Sequence, residues 1–210
     1  MRNLIIIGAR GLGRELYNLF KDCKEILPDI ECKGYLDDKT DALDNFKGYP
    51  PILSSVEAYC PQPNDVFICA LGDPKWKKYY TEIILKKKGN FINIIHPSAI
   101  ISDYSSIGTG CVIGRFVSIS CDVKIGNYTY IGAFSAIGHD SIVGDFCQLG
   151  VYTFLGGGAE IGNICTLHPR SYIFPHKKVK DESVVGAASV VMRNVPEKTT
   201  VYGNPAKKLD

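Results

Sequence analysis

A histidine followed directly by an aspartate is the pair in this 210-residue chain that is best suited to proton transfer. His139 carries an imidazole whose pKa lies close to neutral pH, so it can take a proton from an attacking amine or hydroxyl group. The carboxylate of Asp140 could orient that ring and stabilise its protonated form. By itself the dipeptide favours a plainer interpretation, a surface pair on a turn, so the surrounding elements must decide its meaning.

A glycine-rich loop near the N-terminus is the second candidate. It follows the apolar run Leu4–Ile7 and precedes a helical pattern. Glycines let a phosphate approach the backbone, and a helix N-terminus offers it unpaired N–H groups. The spacing G-x-x-G-x-G differs from the G-x-G-x-x-G of dinucleotide enzymes, which argues against NAD and leaves nucleotide binding and a tight structural turn as alternatives. The candidate substrate-binding residues in this half of the chain are Gly8, Ala9, Arg10, Gly11, Gly13, Asp37 and Asp38.

Residues 1–97 alternate apolar runs typical of buried strands with helical patterns. The strands are Leu4–Ile7, a run that ends at Gly34–Asp38, Val66–Ala70 and Phe91–Ile95. Asp73, followed by proline, is typical of a helix start. Such alternation predicts an α/β, Rossmann-like domain with a parallel sheet. Asp37 and Asp38 would then end a strand, at the edge where a base or ribose is bound.

Residues 98–210 carry a six-residue repeat. Every sixth residue from Ile107 to Val191 is Ile, Leu or Val, which gives fifteen consecutive matches, and ten of these are followed directly by glycine. A small residue usually stands four positions later, as at Ser141 and Cys147. This repeat predicts an all-β parallel β-helix with three faces in each 18-residue coil. The glycines are expected either where the backbone turns sharply or where neighbouring chain comes close.

Charge, hydropathy and cysteine content exclude several function classes. Lys+Arg of 24 against Asp+Glu of 22 leaves no basic field for nucleic acid. No apolar run reaches the roughly 20 residues that cross a bilayer, so we expect a cytoplasmic protein without membrane insertion. The eight cysteines contain no C-x-x-C pair and are expected to be reduced. The four histidines are too scattered for a three-histidine metal site like that of a β-helical carbonic anhydrase, so no metal is expected.

Together these features resemble the sialic-acid O-acetyltransferase and nucleotide-amino-sugar N-acetyltransferase family of bacterial left-handed β-helix enzymes (NeuD/PglD-like). The resemblance covers almost the whole chain. Besides the hexapeptide repeats, it rests on the segments Gly8–Arg14, Gly34–Asp38, His96–Ala99, Ile137–Asp140 and Gly203–Lys207.

The resemblance implies an enzyme that transfers an acetyl group from acetyl-CoA to an amino or hydroxyl group of a nucleotide-linked sugar, in the synthesis of a bacterial surface glycan. It also implies left-handed coiling and a homotrimer with its active sites between subunits. His139 would be the general base and Asp140 its partner. The acetyl-CoA-binding residues would be Gly156, Gly157, Gly186 and Ala187. Gly157 follows His139 by eighteen residues, so its N–H would lie one coil above and could polarise the thioester carbonyl.

Two positions depart from the family pattern. Gln148 stands where well-known members have a second histidine, nine residues after the base, and Leu12 replaces a histidine of the loop. These changes keep two alternatives open, a sialic-acid-type O-acetyltransferase and a non-catalytic protein that binds a nucleotide sugar. We expect direct attack on the thioester, because the repeat shows no cysteine or serine nucleophile beside His139. We assign no function to His176.

Overall fold

The computed structural model describes residues 1–209 of the chain. Contacts within the chain divide it into two compact units, Met1–Pro97 and a second unit that begins at Ser98. The elements of the first unit are β1 (Arg2–Ile7), α1 (Gly11–Asp22), β2 (Ile30–Leu36), β3 (Ile52–Ser54), β4 (Asp65–Cys69), α2 (Pro74–Lys86), β5 (Asn90–Phe91) and β6 (Ile94–Ile95).

The first unit is built on a parallel five-stranded sheet. Its strand order is β3-β2-β1-β4-β5, so the chain reverses its direction of winding at the central strand β1. Leu4 to Ile7 are all buried, as expected for a strand covered on both faces. On α1, Leu16, Leu19 and Phe20 are buried and supply its share of the core.

Most of the predicted elements of this unit are confirmed. Asp73 caps α2, because its carboxylate accepts hydrogen bonds from the N–H groups of Lys75 (2.8 Å) and Trp76 (3.1 Å). The run Phe91–Ile95 was predicted as one strand and is two short strands, β5 and β6. Sequence patterns missed β3, a three-residue edge strand that is too short to show a period of two.

The second unit is a coil of very short strands. They are β7 (Ile100–Ile101), β8 (Ser106–Ile107), β9 (Val112–Ile113), β10 (Ser118–Ile119), β11 (Lys124–Ile125), β12 (Tyr130–Ile131), β13 (Ala136–Ile137), β14 (Ile142–Val143), β15 (Gln148–Leu149), β16 (Phe154–Leu155), β17 (Glu160–Ile161), β18 (Thr166–Leu167), β19 (Tyr172–Ile173), β20 (Lys178–Val179), β21 (Val184–Val185), β22 (Val190–Val191), β23 (Thr200–Tyr202) and β24 (Lys207–Lys208). Each strand from β10 to β22 pairs in parallel with the strand eighteen residues before it, so three sheets form the faces of a parallel β-helix. Within the second unit the first strand is Ile100–Ile101, one hexapeptide before Ile107, from which the repeat was counted.

The interior of the β-helix follows the repeat. The aliphatic positions from Ile113 to Val191 are buried, and Ile107 is half-buried in the first coil. The small residue four positions later is also buried and hydrogen-bonds to the next coil, as when the Ser141 hydroxyl donates to the carbonyl of Gly156 at 3.2 Å. Cys147 occupies the same position, and none of the eight cysteines, all of them within the described residues, forms a disulfide.

The glycines that follow the aliphatic positions are required by close approach between coils, and not by the turns. A Cβ added to Gly138 would lie 2.7 Å from the backbone nitrogen of Gly157 in the next coil. The left-handed backbone conformation occurs two residues further on, at non-glycine residues such as Phe134 (φ 59°) and Asp140 (φ 60°). Of the two explanations for the glycines, close approach is therefore correct.

This explanation predicts the effect of adding a methyl group. In Gly132→Ala, the new Cβ would lie 2.6 Å from the backbone nitrogen of Val151, which cannot move without opening the ladder between coils. We expect the free energy of unfolding to fall by about 1–3 kcal/mol, measured by chemical denaturation. In the control Gly72→Ala the new Cβ would meet no atom within 4 Å, so the free energy of unfolding should change by no more than about 0.5 kcal/mol. Equal losses in the two variants would contradict the explanation.

Candidate functional site

A cavity of about 290 Å³ opens in the first unit at the carboxyl ends of β1, β2 and β4. This edge of a parallel sheet is the usual ligand site of such folds, and the cavity lies beside the central strand, where the winding reverses. Of the residues predicted to bind substrate, it brings together Gly8, Arg10, Asp37 and Asp38. The other lining residues are Ile7, Leu36, Val56, Ala70, Leu71, Gly72, Asp73, Trp76 and Tyr80.

The glycine loop has a structural role in addition to any binding role. Gly8 has φ +97°, a conformation that favours glycine, and its added Cβ would lie 3.1 Å from the carbonyl oxygen of Ala70. A Cβ on Gly13 would collide with the carbonyl oxygen of Gly8, so this glycine is required by the turn itself. A Cβ on Gly11 would instead meet open space. The loop thus closes tightly at both ends and leaves the first residue of α1 accessible.

The two acidic residues after β2 have different surroundings. Asp37 is 9% exposed, and its two oxygens accept hydrogen bonds from the N–H groups of Ala9 (2.9 Å) and Lys39 (3.0 Å). It therefore holds the glycine loop against β2. Asp38 is exposed and accepts a hydrogen bond from the Tyr80 hydroxyl at 2.7 Å. This hydrogen bond, more than the desolvation of Tyr80, raises the pKa of the phenol. It engages one Asp38 oxygen, and no donor within residues 1–209 reaches the other.

Two aromatic residues of the cavity were not predicted as site residues. The rings of Trp76 and Tyr80 stack with their centroids 5.9 Å apart and an interplanar angle of 29°. The Trp76 side chain is largely exposed, at 56%, so one face of a large aromatic ring is open beside Asp38. Their four-residue spacing at the start of α2 places them on one side of the helix, which is the signal that could have identified them. An open indole face suits the stacking of a nucleobase.

In the second unit, His139 and Asp140 form a close pair. The Nδ1 atom of His139 lies 2.6 Å from a carboxylate oxygen of Asp140, and both side chains are more than half exposed. A carboxylate at Nδ1 holds the proton on that nitrogen and leaves Nε2 to accept one. The pair therefore has the arrangement of an oriented general base.

The free nitrogen of His139 faces Gly157 in the next coil. A Cβ added to Gly157 would lie 2.5 Å from the Nε2 atom, so any side chain at this position would displace the imidazole. Gly156 precedes it directly after β16, on the same sheet as β13. His139, Asp140, Gly156 and Gly157 are thus brought together on one corner of the β-helix.

The N–H of Gly157 has no acceptor among residues 1–209. At another corner, the N–H groups in the same register are capped by the side chain one coil above, as when Asp145 accepts from Asn127 at 2.6 Å. The residue one coil above Gly157 is Pro175, which has no side-chain acceptor. An unpaired N–H beside an oriented base has the arrangement needed to stabilise a developing oxyanion.

The remaining predicted residues of this unit lie elsewhere. Gln148 belongs to β15, and Gly186 and Ala187 follow β21, in the sheet that also contains β12 and β18. His139 follows β13 in a different sheet. A single chain therefore does not bring Gln148, Gly186 or Ala187 to the His139 corner.

Cys121 is a residue near His139 that the repeat could have revealed. It precedes His139 by eighteen residues, so it lies one coil below in the same register, and its side chain is exposed. Its carbonyl accepts the N–H of Asp140 at 3.2 Å. The free edge of the His139 ring faces the opposite coil, toward Gly157, and is therefore not directed at the Cys121 thiol. Direct attack without an acyl-cysteine stays a prediction.

The described residues contain neither a cluster of metal-binding side chains nor a helix that could span a membrane. No three or more His, Cys, Asp or Glu side chains between residues 1 and 209 are grouped so that they could hold a metal ion. Within the same residues, neither α1 nor α2 has the length and apolar character that crossing a membrane requires.

Known protein families match both units. Residues 3–84 match the family described as PglD N-terminal domain, and residues 104–139 match the family described as bacterial transferase hexapeptide (six repeats). The predicted fold class, an α/β domain followed by a parallel β-helix of hexapeptide repeats, is confirmed.

Two curated relatives are sugar N-acetyltransferases. The chain is 31% identical over 117 residues to UDP-N-acetylbacillosamine N-acetyltransferase of Bacillus subtilis. The aligned region covers 54% of this chain and 51% of the relative. It is 27% identical over 124 residues to GDP-perosamine N-acetyltransferase of Escherichia coli O157:H7. Here the aligned region covers 59% of this chain and 56% of the relative. The chain thus spans about half the length of the curated relatives that it matches.

Solved structures share the fold over the whole chain. PerB from Caulobacter crescentus, in complex with CoA and GDP-perosamine, matches with a TM-score of 0.89 at 24% identity and covers 100% of this chain and 98% of its own. The acetyltransferase domain of PglB from Neisseria gonorrhoeae matches with a TM-score of 0.83 at 23% identity and covers 100% of both chains. The resemblance indicated by the sequence motifs is confirmed: residues 3–84 are similar to PglD N-terminal domains and residues 104–139 to bacterial transferase hexapeptide repeats.

Proposed function

We propose that this chain is an acetyl-CoA-dependent N-acetyltransferase that acts on the amino group of a nucleotide-linked sugar in bacterial surface glycan biosynthesis. The observation that carries the proposal is the His139 corner. An imidazole oriented by Asp140 there faces a glycine whose N–H has no acceptor among the described residues. The activities of the two curated relatives favour an amino group over a hydroxyl group as the acceptor.

The geometry supports direct transfer. The acceptor amine would lie beside Nε2 of His139, which takes its proton as the nitrogen attacks the thioester carbon. The carbonyl oxygen becomes an oxyanion and would accept the hydrogen bond of the Gly157 N–H. The Asp140 carboxylate stabilises the imidazolium formed in this step. Collapse of the tetrahedral intermediate breaks the C–S bond and releases CoA.

The cavity of the first unit would hold the nucleotide. The base would stack on Trp76, and the free oxygen of Asp38 would accept an N–H of the base. The N-terminus of α1 suits the phosphates, because no acidic side chain lies in its first turn and Arg10 gives it no side-chain cap. Asp37 would act indirectly, by fixing the loop that receives the phosphates.

The protein would act as a homotrimer. Gln148, Gly186 and Ala187 lie on a different face from His139, so they can complete an active site only if a second copy supplies them. Acetyl-CoA would then lie along the groove between two subunits. A cytoplasmic location fits this substrate, and the eight free cysteines suit a reducing compartment.

Replacement of the base tests the proposed reaction. With acetyl-CoA and a panel of UDP-, dTDP-, GDP- and CMP-linked amino sugars, we expect thiol release with one of them. His139→Asn should lower kcat about 10²–10⁴-fold, because it removes the proton acceptor. Cys121→Ser, in the same register one coil below, is the matched control and should retain wild-type kcat.

Three results would contradict parts of this proposal. Unchanged turnover in His139→Asn would exclude His139 as the base, and loss of turnover in Cys121→Ser would indicate an acyl-enzyme route. Turnover only with hydroxyl acceptors would replace the N-acetyltransferase with an O-acetyltransferase.

The single tryptophan of the chain reports nucleotide binding. Stacking of a base on Trp76 should quench its fluorescence, and titration with free nucleoside diphosphates gives the affinity. Asp38→Asn should weaken binding about tenfold, because it removes a charged acceptor. Asp41→Asn, at an exposed residue outside the cavity, should have no effect. The nucleotide site would be wrong if no nucleotide quenched the signal or if the two variants bound equally well.

The proposed homotrimer can be tested by measuring the mass of the protein in solution. Sedimentation equilibrium should give a mass close to three times that of the 23.1 kDa chain, because each site needs residues from two faces. A monomeric enzyme with full turnover would refute the placement of active sites between subunits.

A further inference from the structure

A second imidazole reaches the glycines that face His139. His176 lies one coil above Gly158, and its Nδ1 atom is the closest atom to the position of a Cβ on that glycine. The Nε2 atom of His139 has the same relation to Gly157 from one coil below. The backbone N–H of His176 also donates to the carbonyl of Gly157 at 3.0 Å. The imidazoles of His139 and His176 therefore approach the dipeptide Gly157-Gly158, which has no side chains, from the coils below and above it.

The register explains why the His176 ring lies against Gly158. Asp122, Asp140, Gly158 and His176 follow one another at steps of eighteen, and all have left-handed backbone conformations with φ between 57° and 66°. At the other corners, side chains in this register stack along the coil, as do the rings of Phe134 and Tyr152 with centroids 5.1 Å apart.

No structural role accounts for this imidazole. The His176 side chain is exposed, and among the described residues it makes no hydrogen bond or ion pair through its ring. The two other corners instead carry stacked aromatic rings, which are Phe116, Phe134 and Tyr152 on one and Tyr128 and Phe146 on the other. The corner with His139 presents two imidazoles beside the glycines Gly157 and Gly158. The position therefore suits a group that acts on a ligand.

We propose that His176 is a second catalytic residue, which protonates the sulfur of CoA as the C–S bond breaks. The inference rests on the proposed function, since it places the thioester over Gly157 and Gly158. His139 takes the proton of the attacking amine while the new C–N bond forms. The electron pair of the breaking C–S bond passes to sulfur, which takes a proton from the His176 imidazolium. The products are the amide and the CoA thiol, and the two imidazoles exchange one proton with solvent to return to their starting states.

The charged groups near His176 are of both signs. Asp140 lies two coils below in the same register, Lys177 follows directly in the chain, and Arg193 lies in the coil above. In the proposed cycle His176 must start protonated and His139 must start neutral.

Kinetics of His176→Asn test the inference. Asparagine tolerates the φ of +57° at this position but cannot supply the proton. We expect kcat to fall about tenfold or more and the KM for acetyl-CoA to stay within about twofold. Glu182→Asn is the matched control, because it also introduces asparagine at a corner residue with φ +57°, and it should behave as wild type. A rise in KM with unchanged kcat, or an equal loss of kcat in the control variant, would overturn the proposal.

A binding measurement separates this inference from the proposed function. The ultraviolet absorbance of the thiolate gives the pKa of the CoA thiol in the complex without any sugar. An imidazolium beside the sulfur should lower that pKa in the wild type, and His176→Asn should return it toward the value of free CoA. If no acceptor sugar gives turnover, this shift still decides the position of His176. Equal thiol pKa values in the two proteins, or no binding of CoA at all, would overturn the inference.

Discussion

The backbone ladder between successive coils is the constraint on which the second unit depends. Each coil donates N–H groups to carbonyls of the next coil, as Gly138 does to Leu155 at 2.8 Å. The spacing of about 4.8 Å that results leaves no room for a Cβ at the glycine positions. It also fixes which residues face each other across coils, so His139 meets Gly157 because of the ladder and not because of any contact specific to the pair.

The parts of the candidate site that depend only on register could be predicted from the sequence. A strict period of six gives an 18-residue coil, and this arithmetic alone places residue 157 above residue 139. On that ground Gly157 could be paired with His139, whereas the role of His139 as a base rested on the family resemblance. The same arithmetic would have placed Cys121 below His139, and His176 above Gly158, had it been applied to every residue of the corner. The parallel sheet of the first unit was predictable for a similar reason, since buried strands such as β1 and β4 are continuous apolar runs.

Features that depend on side-chain direction were not predictable from the pattern. Asp37 and Asp38 are adjacent and chemically identical, yet Asp37 holds the glycine loop and Asp38 accepts the hydrogen bond of Tyr80. Trp76 lies on α2, and only the packing of the helix shows that its ring is open to solvent. The acceptor-free N–H of Gly157 depends on the identity of Pro175 one coil away, a relation that no local motif contains.

The residues of the β-helix fall into two classes according to their place relative to the corners, where the backbone has a left-handed φ. The aliphatic residue, the glycine and the small buried residue build the coil, whereas the second and third residues after each aliphatic position only project from it. Corners with phenylalanine, tyrosine, aspartate or histidine all keep φ between 53° and 66° in the array, so the turn tolerates almost any side chain. Chemistry can be exchanged at such corners without a change in the scaffold. A single coil geometry can thus be modified to accept different donors and acceptors, one projecting residue at a time.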